Sequence, residues 1–224
     1  MKTIKTAKNK YIVFALIINF IILCGSTSQL EREQEWAPLM DGKTMNGWET
    51  ALFSEGEPFV EDGIYVLPQP PYGGLSTGLS LIKNSTIPAV NYIIYYEARR
   101  VDGNDIFGGL SFPYKNTYAT LVIGGWGGSI CGLSSIDGKD ALDNETTTRV
   151  NFNEDQWYPV TLRVTTDSIR AVVGDVKVVD ISTAGKRIHI RRGTIGSGLT
   201  FITYYTTGEI RNVRLKRLKQ TIIE

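Results

Sequence analysis

Two groups of residues in this chain have types and spacings that suit carbohydrate chemistry. The first lies between Asn104 and Thr148. There Gly124-Gly125-Trp126-Gly127-Gly128 sets a large ring among glycines, and Asp137, Asp140, Asp143 and Glu145 follow in a loop. A bare aromatic face stacks on the apolar face of a sugar, and carboxylates accept hydrogen bonds from its hydroxyls. Tyr118, on the run leading into the glycines, is a second stacking candidate. Arg149 ends the acidic loop and fits a neutralising role. The same pattern also fits a tight turn around a core Trp, followed by a solvated loop. The second group is Glu97 with Arg99 on one face of the run Tyr92–Val101. It reads either as a site carboxylate steadied by an arginine or as a surface ion pair of little energetic weight. His189 and Cys131 carry less. His189 alternates with isoleucines and reads as a solvent-facing strand position. Cys131, between Ile130 and Gly132, has no histidine nearby in sequence and reads as a small buried residue.

These side chains need strands to hold them. Tyr92–Val101 alternates strictly, with Tyr92, Ile94, Tyr96 and Ala98 on a core face and Ile93, Tyr95, Glu97 and Arg99 on the other. Ile106–Pro113 and Thr117–Gly124 are two further runs of strand type. Phe59–Leu67 turns at Asp62-Gly63 and predicts a hairpin. Pro68–Gly78 reads as a loop. Trp157–Val164, Ile169–Val173 and Val176–Ile181 are a series of short strands, and Thr194–Tyr205 and Glu209–Lys219 form the last pair. The alternating cations of Leu215–Lys219 fit a guard on a sheet edge. Trp36 and Trp48 bracket a loop with two turn dipeptides, Asp41-Gly42 and Asn46-Gly47, and are expected to pin both its ends to a core. No stretch of the body keeps an apolar period near 3.6. The expected fold is all-β, a jelly-roll sandwich spanning 36–219 with a short tail at 220–224.

The bulk numbers limit the functions. The chain has 224 residues and a formal net charge of +1, from 24 basic and 23 acidic residues. Setting aside Lys2, Lys5, Lys8 and Lys10 leaves 20 against 23, or −3. A slightly acidic body has no electrostatic footprint for nucleic acid. Two cysteines, Cys24 and Cys131, provide no disulfide framework. One histidine excludes a multi-histidine metal site but leaves room for an all-oxygen calcium site. The spacing of Asp137, Asp140 and Asp143 does not match a calcium-binding loop, so no metal ligands are assigned.

The N-terminus predicts export. Lys2–Lys10 is a basic region, and Tyr11–Leu23 is an apolar run too short to span a bilayer comfortably. Ile21–Ser26 resembles a bacterial lipobox, which makes 1–24 a signal peptide and Cys24 a lipidation site. Cleavage near Ser26–Ser28 is the alternative. Both place the body outside the cytoplasm, in the periplasm or on the outer membrane. Residues 25–35 read as a polar tether, with membrane contact only through the lipid.

Three segments resemble the 3-keto-disaccharide hydrolase domain family, whose fold is similar to the concanavalin-A-like lectin/glucanase jelly roll. Leu39-Met40-Asp41-Gly42-Lys43-Thr44-Met45-Asn46-Gly47-Trp48 resembles its opening motif. Gln156–Val164 with Ile169–Asp175 resembles its central strand and hairpin. Gly193–Gly196 with Glu209–Leu215 resembles its close. The family's polar strand resembles Tyr118–Val122, where Ala119 and Leu121 replace a Glu and a Gln on the presumed substrate face. The resemblance implies an exported enzyme that takes a small-molecule or oligosaccharide substrate. In that chemistry a ketone at C3 acidifies the C2 proton, a base removes it, the C1 aglycone leaves and water adds. Under this reading Glu97 is the base and Arg99 its orienter or enolate partner. Trp126, Tyr118, Asp137, Asp140 and Asp143 contact substrate, and a divalent cation such as calcium is an optional electrophile. A non-catalytic carbohydrate-binding or structural surface lipoprotein on the same scaffold is the alternative.

Overall fold

A computed structural model of the chain describes residues 35–71, 74–82, 86–190 and 198–219. The predicted leader, Cys24, all of the tether but Glu35, the Gly193–Gly196 motif and the tail 220–224 lie outside these residues. From Trp36 onward the chain forms two antiparallel sheets packed face to face. Among the described residues no helix is long and apolar enough to cross a membrane.

The first sheet runs β13 (Val176–Ser182), β12 (Ser168–Val173), β11 (Tyr158–Val164), β6 (Tyr92–Gly103), β15 (Thr206–Arg217), β4 (Ile64–Leu67) and β3 (Phe59–Glu61). A short β1 (Ala37–Pro38) adds to β15. The second runs β10 (Thr148–Arg149), β9 (Ile130–Ser134), β8 (Thr117–Gly124), β7 (Phe107–Tyr114), β14 (Thr200–Tyr204), β5 (Ser76–Leu81) and β2 (Trp48–Thr50). The expected hairpin at Asp62-Gly63 joins β3 to β4. One boundary moves: the Pro/Gly-rich stretch expected as a loop gives way to β5 at Ser76, two residues before Gly78.

Alternation along β6 decides which side chains build the core. Tyr92, Ile94, Tyr96 and Ala98 are fully buried, as period two requires. Tyr96 packs edge-on against Phe201 at 5.0 Å and donates a hydrogen bond to the Gly108 carbonyl at 2.8 Å. This ties the two sheets together at their centre. Burying each large side chain here contributes about 1.5–3 kcal/mol. The same inward face continues to Arg100, which is only 6% exposed.

The opening motif is held by its own polar groups. Asp41 accepts from the Lys43 and Thr44 N–H groups, the Thr44 hydroxyl and the Tyr65 hydroxyl. Trp48 is in the core and donates its indole N–H to the Leu39 carbonyl. Trp36 does not do the same at the other end. It lies against Tyr95 and Arg214 on the outer face of the first sheet. β15 is interior at Gly208–Ile210, beside β4, and at Arg214–Leu215, beside β1, but Lys216 and Arg217 pair with β6 alone, so the cations of Leu215–Lys219 begin where the strand becomes an edge.

Candidate carbohydrate site

Glu97 and Arg99 project outward from β6, as their alternation requires, but they do not pair with each other. Arg211 Nε donates to Glu97 Oε2 at 2.7 Å, and Asn212 Nδ2 and the Tyr95 hydroxyl donate to Oε1 at 2.9 and 3.2 Å. Arg99 pairs with Glu209 at 2.6 Å. Arg99 and Arg211 also stack on Trp157, at 4.9 and 4.0 Å from its ring centre. Partial burial works to raise the Glu97 carboxyl. Hydrogen bonds from Asn212 and Arg211 and the Arg211 charge outweigh it and hold the carboxyl below its ordinary range. With its oxygens taken by three donors, this carboxylate has little basicity left for a substrate proton.

Trp126 belongs to the other sheet. The Gly125–Gly128 turn joins β8 to β9, and Trp126 has left-handed backbone (φ 50, ψ 57). Glu97 faces away from that sheet, so the two residues share no surface. Tyr118 is also apart from Trp126. It starts β8 and Trp126 follows its end, so the strand separates them by roughly 20 Å. Tyr118 instead lines a recess of about 340 Å³ with Pro113, Lys115 and Asn116.

The acidic loop is not a row of free carboxylates. Its Ala141 and Leu142 pack onto Val122 and Ile130 against the outer face of the second sheet. Asp137 accepts from the Arg187 backbone N–H at 2.8 Å, and Asp140 accepts from the Ser135 hydroxyl at 3.0 Å. Glu145 pairs with Lys186, the neutralising role that the sequence pattern suggested for Arg149. Asp143 is exposed. Among the described residues no three His, Cys, Asp or Glu side chains converge to hold a metal ion.

Ala119 and Leu121 are fully buried in the core. The outward positions of β8 are Tyr118, Thr120 and Val122. In this chain Ala119 and Leu121 therefore face the partner sheet and not a substrate. His189 is not on a solvent-facing strand. It is part-buried, its backbone pairs with Ser135, and its Nδ1 meets the Ile190 carbonyl at 2.8 Å. Cys131 is buried as expected, and burial pushes its thiol up to about 11, which keeps it protonated and unreactive.

The site that the fold does assemble lies at one rim of the sandwich, where three turns meet around Asp105. The Asp105 backbone N–H donates to the Thr206 hydroxyl at 2.9 Å, and the Tyr204 N–H donates to the Ile106 carbonyl at 3.0 Å, which joins the β6–β7 turn to the β14–β15 turn. The Asp105 carboxylate accepts from the N–H of Ile106 at 2.9 Å and of Gly127 at 3.1 Å, which joins it to the Trp126 turn. Arg100 supports this turn from below. Its Nη2 donates to the Gly128 carbonyl at 2.9 Å, and its guanidinium lies 4.7 Å over the Phe107 ring. A Cβ on Gly124 would come within 2.6 Å of Arg100 and 2.9 Å of Phe107, so only glycine admits this approach.

Two large rings stand exposed on these turns, Trp126 at 38% and Tyr205 at 43%. Tyr205, like Trp126, has left-handed backbone, with φ 47. Non-glycine residues in that region store about 1–2 kcal/mol of strain each. Burial pushes the Asp105 carboxyl up, and its backbone hydrogen bonds and the Arg100 charge offset only part of that rise. A carboxyl with raised proton affinity beside exposed rings is the arrangement that a base acting on a sugar needs. Trp126 is visible in the sequence as a site candidate, whereas Asp105 and Tyr205 are not. Gly103-Asn104-Asp105 reads locally as a turn, and nothing in it signals burial.

Residues 35–216 match the 3-keto-alpha-glucoside-1,2-lyase-like domain. The chain belongs to this family. No curated protein matches it. Among solved structures it is similar to a protein from Parabacteroides distasonis assigned as a glycosyl hydrolase, at 16% identity and TM-score 0.52, covering 83% of this chain and 95% of that one. It is also similar to the Crh5 transglycosylase in complex with NAG, at 10% identity and TM-score 0.57, covering 83% and 84%. An endo-acting O-glycanase of the human gut microbiota matches at 11% identity and TM-score 0.53, covering 82% and 100%. At these identities the structural likenesses establish the sandwich fold alone.

Proposed function

We propose that the protein is a carbohydrate-active lyase or hydrolase acting on 3-keto-glycosides, with Asp105 as its base and Trp126 and Tyr205 as the platform for the sugar. One observation carries this reading: two exposed rings in left-handed backbone share a rim with a carboxyl whose proton affinity is raised by burial. Family membership supports the substrate class. The C3 ketone makes the C2 proton acidic, and the Asp105 carboxylate takes it. The electron pair forms the C1–C2 double bond as the C1–oxygen bond breaks, and the protonated Asp105 gives its proton to the departing aglycone oxygen. Water then adds across that double bond and returns a free 3-keto sugar. Stacking on the rings contributes about 1 kcal/mol each at most and orients C2 toward the base.

A second reading, binding without turnover, draws on the same carboxylate. Asp105 already accepts two backbone N–H groups, which also suits a purely structural anchor for the Trp126 turn.

The test uses a 3-keto-disaccharide and measures monosaccharide release. Asp105→Asn is expected to lower kcat by about 10²–10⁴-fold, Trp126→Ala to raise KM, and Glu97→Gln to leave kcat near wild type. If Glu97→Gln abolishes release and Asp105→Asn does not, the base is Glu97. Sugar binding that Trp126→Ala weakens, with no release by any form, establishes the binding reading.

A further inference from the structure

Arg214 lies inside the sheet, between β6 and β1, where a guard on the strand edge does not account for an outward cation. Arg214 faces outward from inside the first sheet and Lys216 from just past the end of β1, and cross-strand register places another cation beside them. Lys216 pairs with Ile93 of β6, and Ile93 pairs with Arg163 of β11, so the three lie in one row. Strands are spaced about 4.8 Å apart, which puts the Lys216 and Arg163 positions roughly 10 Å from each other. Arg214 lies on the next row, opposite Tyr95.

Most charges on this face are already paired. Arg99 binds Glu209, Arg211 binds Glu97, and Arg170 and Lys177 share Asp180. Arg163, Arg214 and Lys216 have no carboxylate partner among the described residues. Arg214 is the best prepared of the three. Its guanidinium lies 4.3 Å from the Tyr95 ring centre and 5.0 Å from that of Trp36. Stacking of this kind fixes the plane of the group and leaves its N–H edge free for a planar or tetrahedral anion. Beside it is a recess of about 430 Å³, lined by Pro38, Met40, Tyr95, Glu97, Asn212 and Arg214. A break in the β15 register between Arg211 and Arg214, with Asn212 at φ 55, opens this recess. Glu97 does not repel an anion from it, because Arg211 and Asn212 already neutralise and bond that carboxylate.

We propose that this face binds an acidic glycan, with Arg214 holding a carboxylate or sulfate in the recess and Lys216 and Arg163 meeting anions on neighbouring sugar units. The recess favours a sugar over other polyanions. It offers apolar contacts from Pro38 and Met40 and an amide from Asn212 next to the guanidinium, which suits a ring that carries both hydroxyls and a charge. A lipid headgroup would need an insertable apolar rim, and Arg163, Arg214 and Lys216 stand on strands in the body of the sheet. The site lies on the opposite sheet from the Trp126 rim, so it stands whether or not that rim is catalytic.

The experiment is titration calorimetry of the purified chain with polygalacturonate, dextran sulfate and neutral dextran at two salt concentrations. Binding is expected to polygalacturonate, dextran sulfate or both, to weaken at higher salt, and to be absent with neutral dextran. Arg214→Ala is expected to weaken it about tenfold, and Arg163→Ala with Lys216→Ala to weaken it further. These positions are on the surface, and circular dichroism confirms that each variant is folded. Equal binding to neutral dextran overturns the proposal, as does affinity unchanged by Arg214→Ala. So does tighter retention on vesicles of anionic phospholipid than on either acidic glycan.

Discussion

Two carboxylates of one chemical kind end in opposite states here, and their surroundings decide which. Glu97 lies near the surface under three donors, and its proton affinity falls. Asp105 is half-buried with two backbone N–H donors, and burial dominates. For Asp105 the sign runs against ionisation: a folded-state pKa raised above the unfolded one adds stability below the ordinary value of 3.8, and this is lost as pH rises through the raised value. An amide in place of this carboxyl keeps the neutral shape and one acceptor. Asp105→Asn removes the buried charge but turns its amide nitrogen toward one of the two backbone N–H donors, so it is expected to melt near or modestly below wild type at pH 7 and further below it at pH 3, where the wild-type carboxyl is protonated. The kcat/KM of the wild type should fall on an acid limb centred above 3.8. Thermal unfolding at the two pH values and a pH–rate profile check both, and a large loss of stability at pH 7 would assign Asp105 a structural role alone. Trp126 is legible as a site candidate because four glycines isolate it. Asp105 is not, because its burial comes from chain segments distant in sequence. Ala119 and Leu121 face the core because alternate residues of a strand point to opposite faces, and the sequence alone does not say which face of β8 is covered.

At the scale of elements, the strands are legible and their neighbours are not. Alternation in β6 gives the correct core face from Tyr92 to Ala98, and Asp62-Gly63 gives the hairpin. Nothing in the period of β15 tells that it is interior, since that depends on β4 and β1, far back in the chain. The turns carry the remaining information. Gly47 and Gly103 both have left-handed backbone, with φ 85 and φ 91. A Cβ on Gly47 meets nothing within 4 Å, whereas on Gly103 it would lie 2.3 Å from the Tyr205 carbonyl oxygen. Gly47→Ala thus costs backbone strain only, about 1 kcal/mol. Gly103→Ala adds a clash that only a shift of the β14–β15 turn relieves, and should cost about 3 kcal/mol or more in total. Denaturant unfolding of the two variants measures the difference. Equal costs would mean that the rim turns are soft, and soft turns could not hold Tyr205 and Asp105 in register.

Across the whole molecule, stability rests on the two-sheet core, because Cys131 is a free buried thiol and no cross-link ties the described residues. Polar contributions are then added at the surface by carboxylates that the fold prefers ionised. Asp41 is held well below its ordinary range by hydrogen bonds from Thr44 and Lys43, Asp180 by bonds from Lys177 and Arg170, and Glu97 by Asn212 and Arg211 against its own burial. A depressed pKa gives stability that is present above the unfolded value and lost as pH falls through the folded one. The window therefore opens near 4.5 for Glu97 and near 3.8 for Asp41 and Asp180, and extends downward. Asp41 and Asp180 are open to solvent, so salt screens the charge part of their contribution. Glu97 is the more protected, with three donors that lose their charged acceptor together on protonation. The melting temperature should hold from about pH 7 to pH 5 and fall steeply below the ordinary Glu97 value of 4.5. Glu97→Gln should lower it at pH 7 and flatten the decline between about pH 5 and pH 3, so that the two curves converge in acid. Parallel curves would show that the Arg211–Glu97–Asn212 cluster contributes no pH dependence, and the acid limb would then belong to the Asp41 turn at the opening of the sandwich.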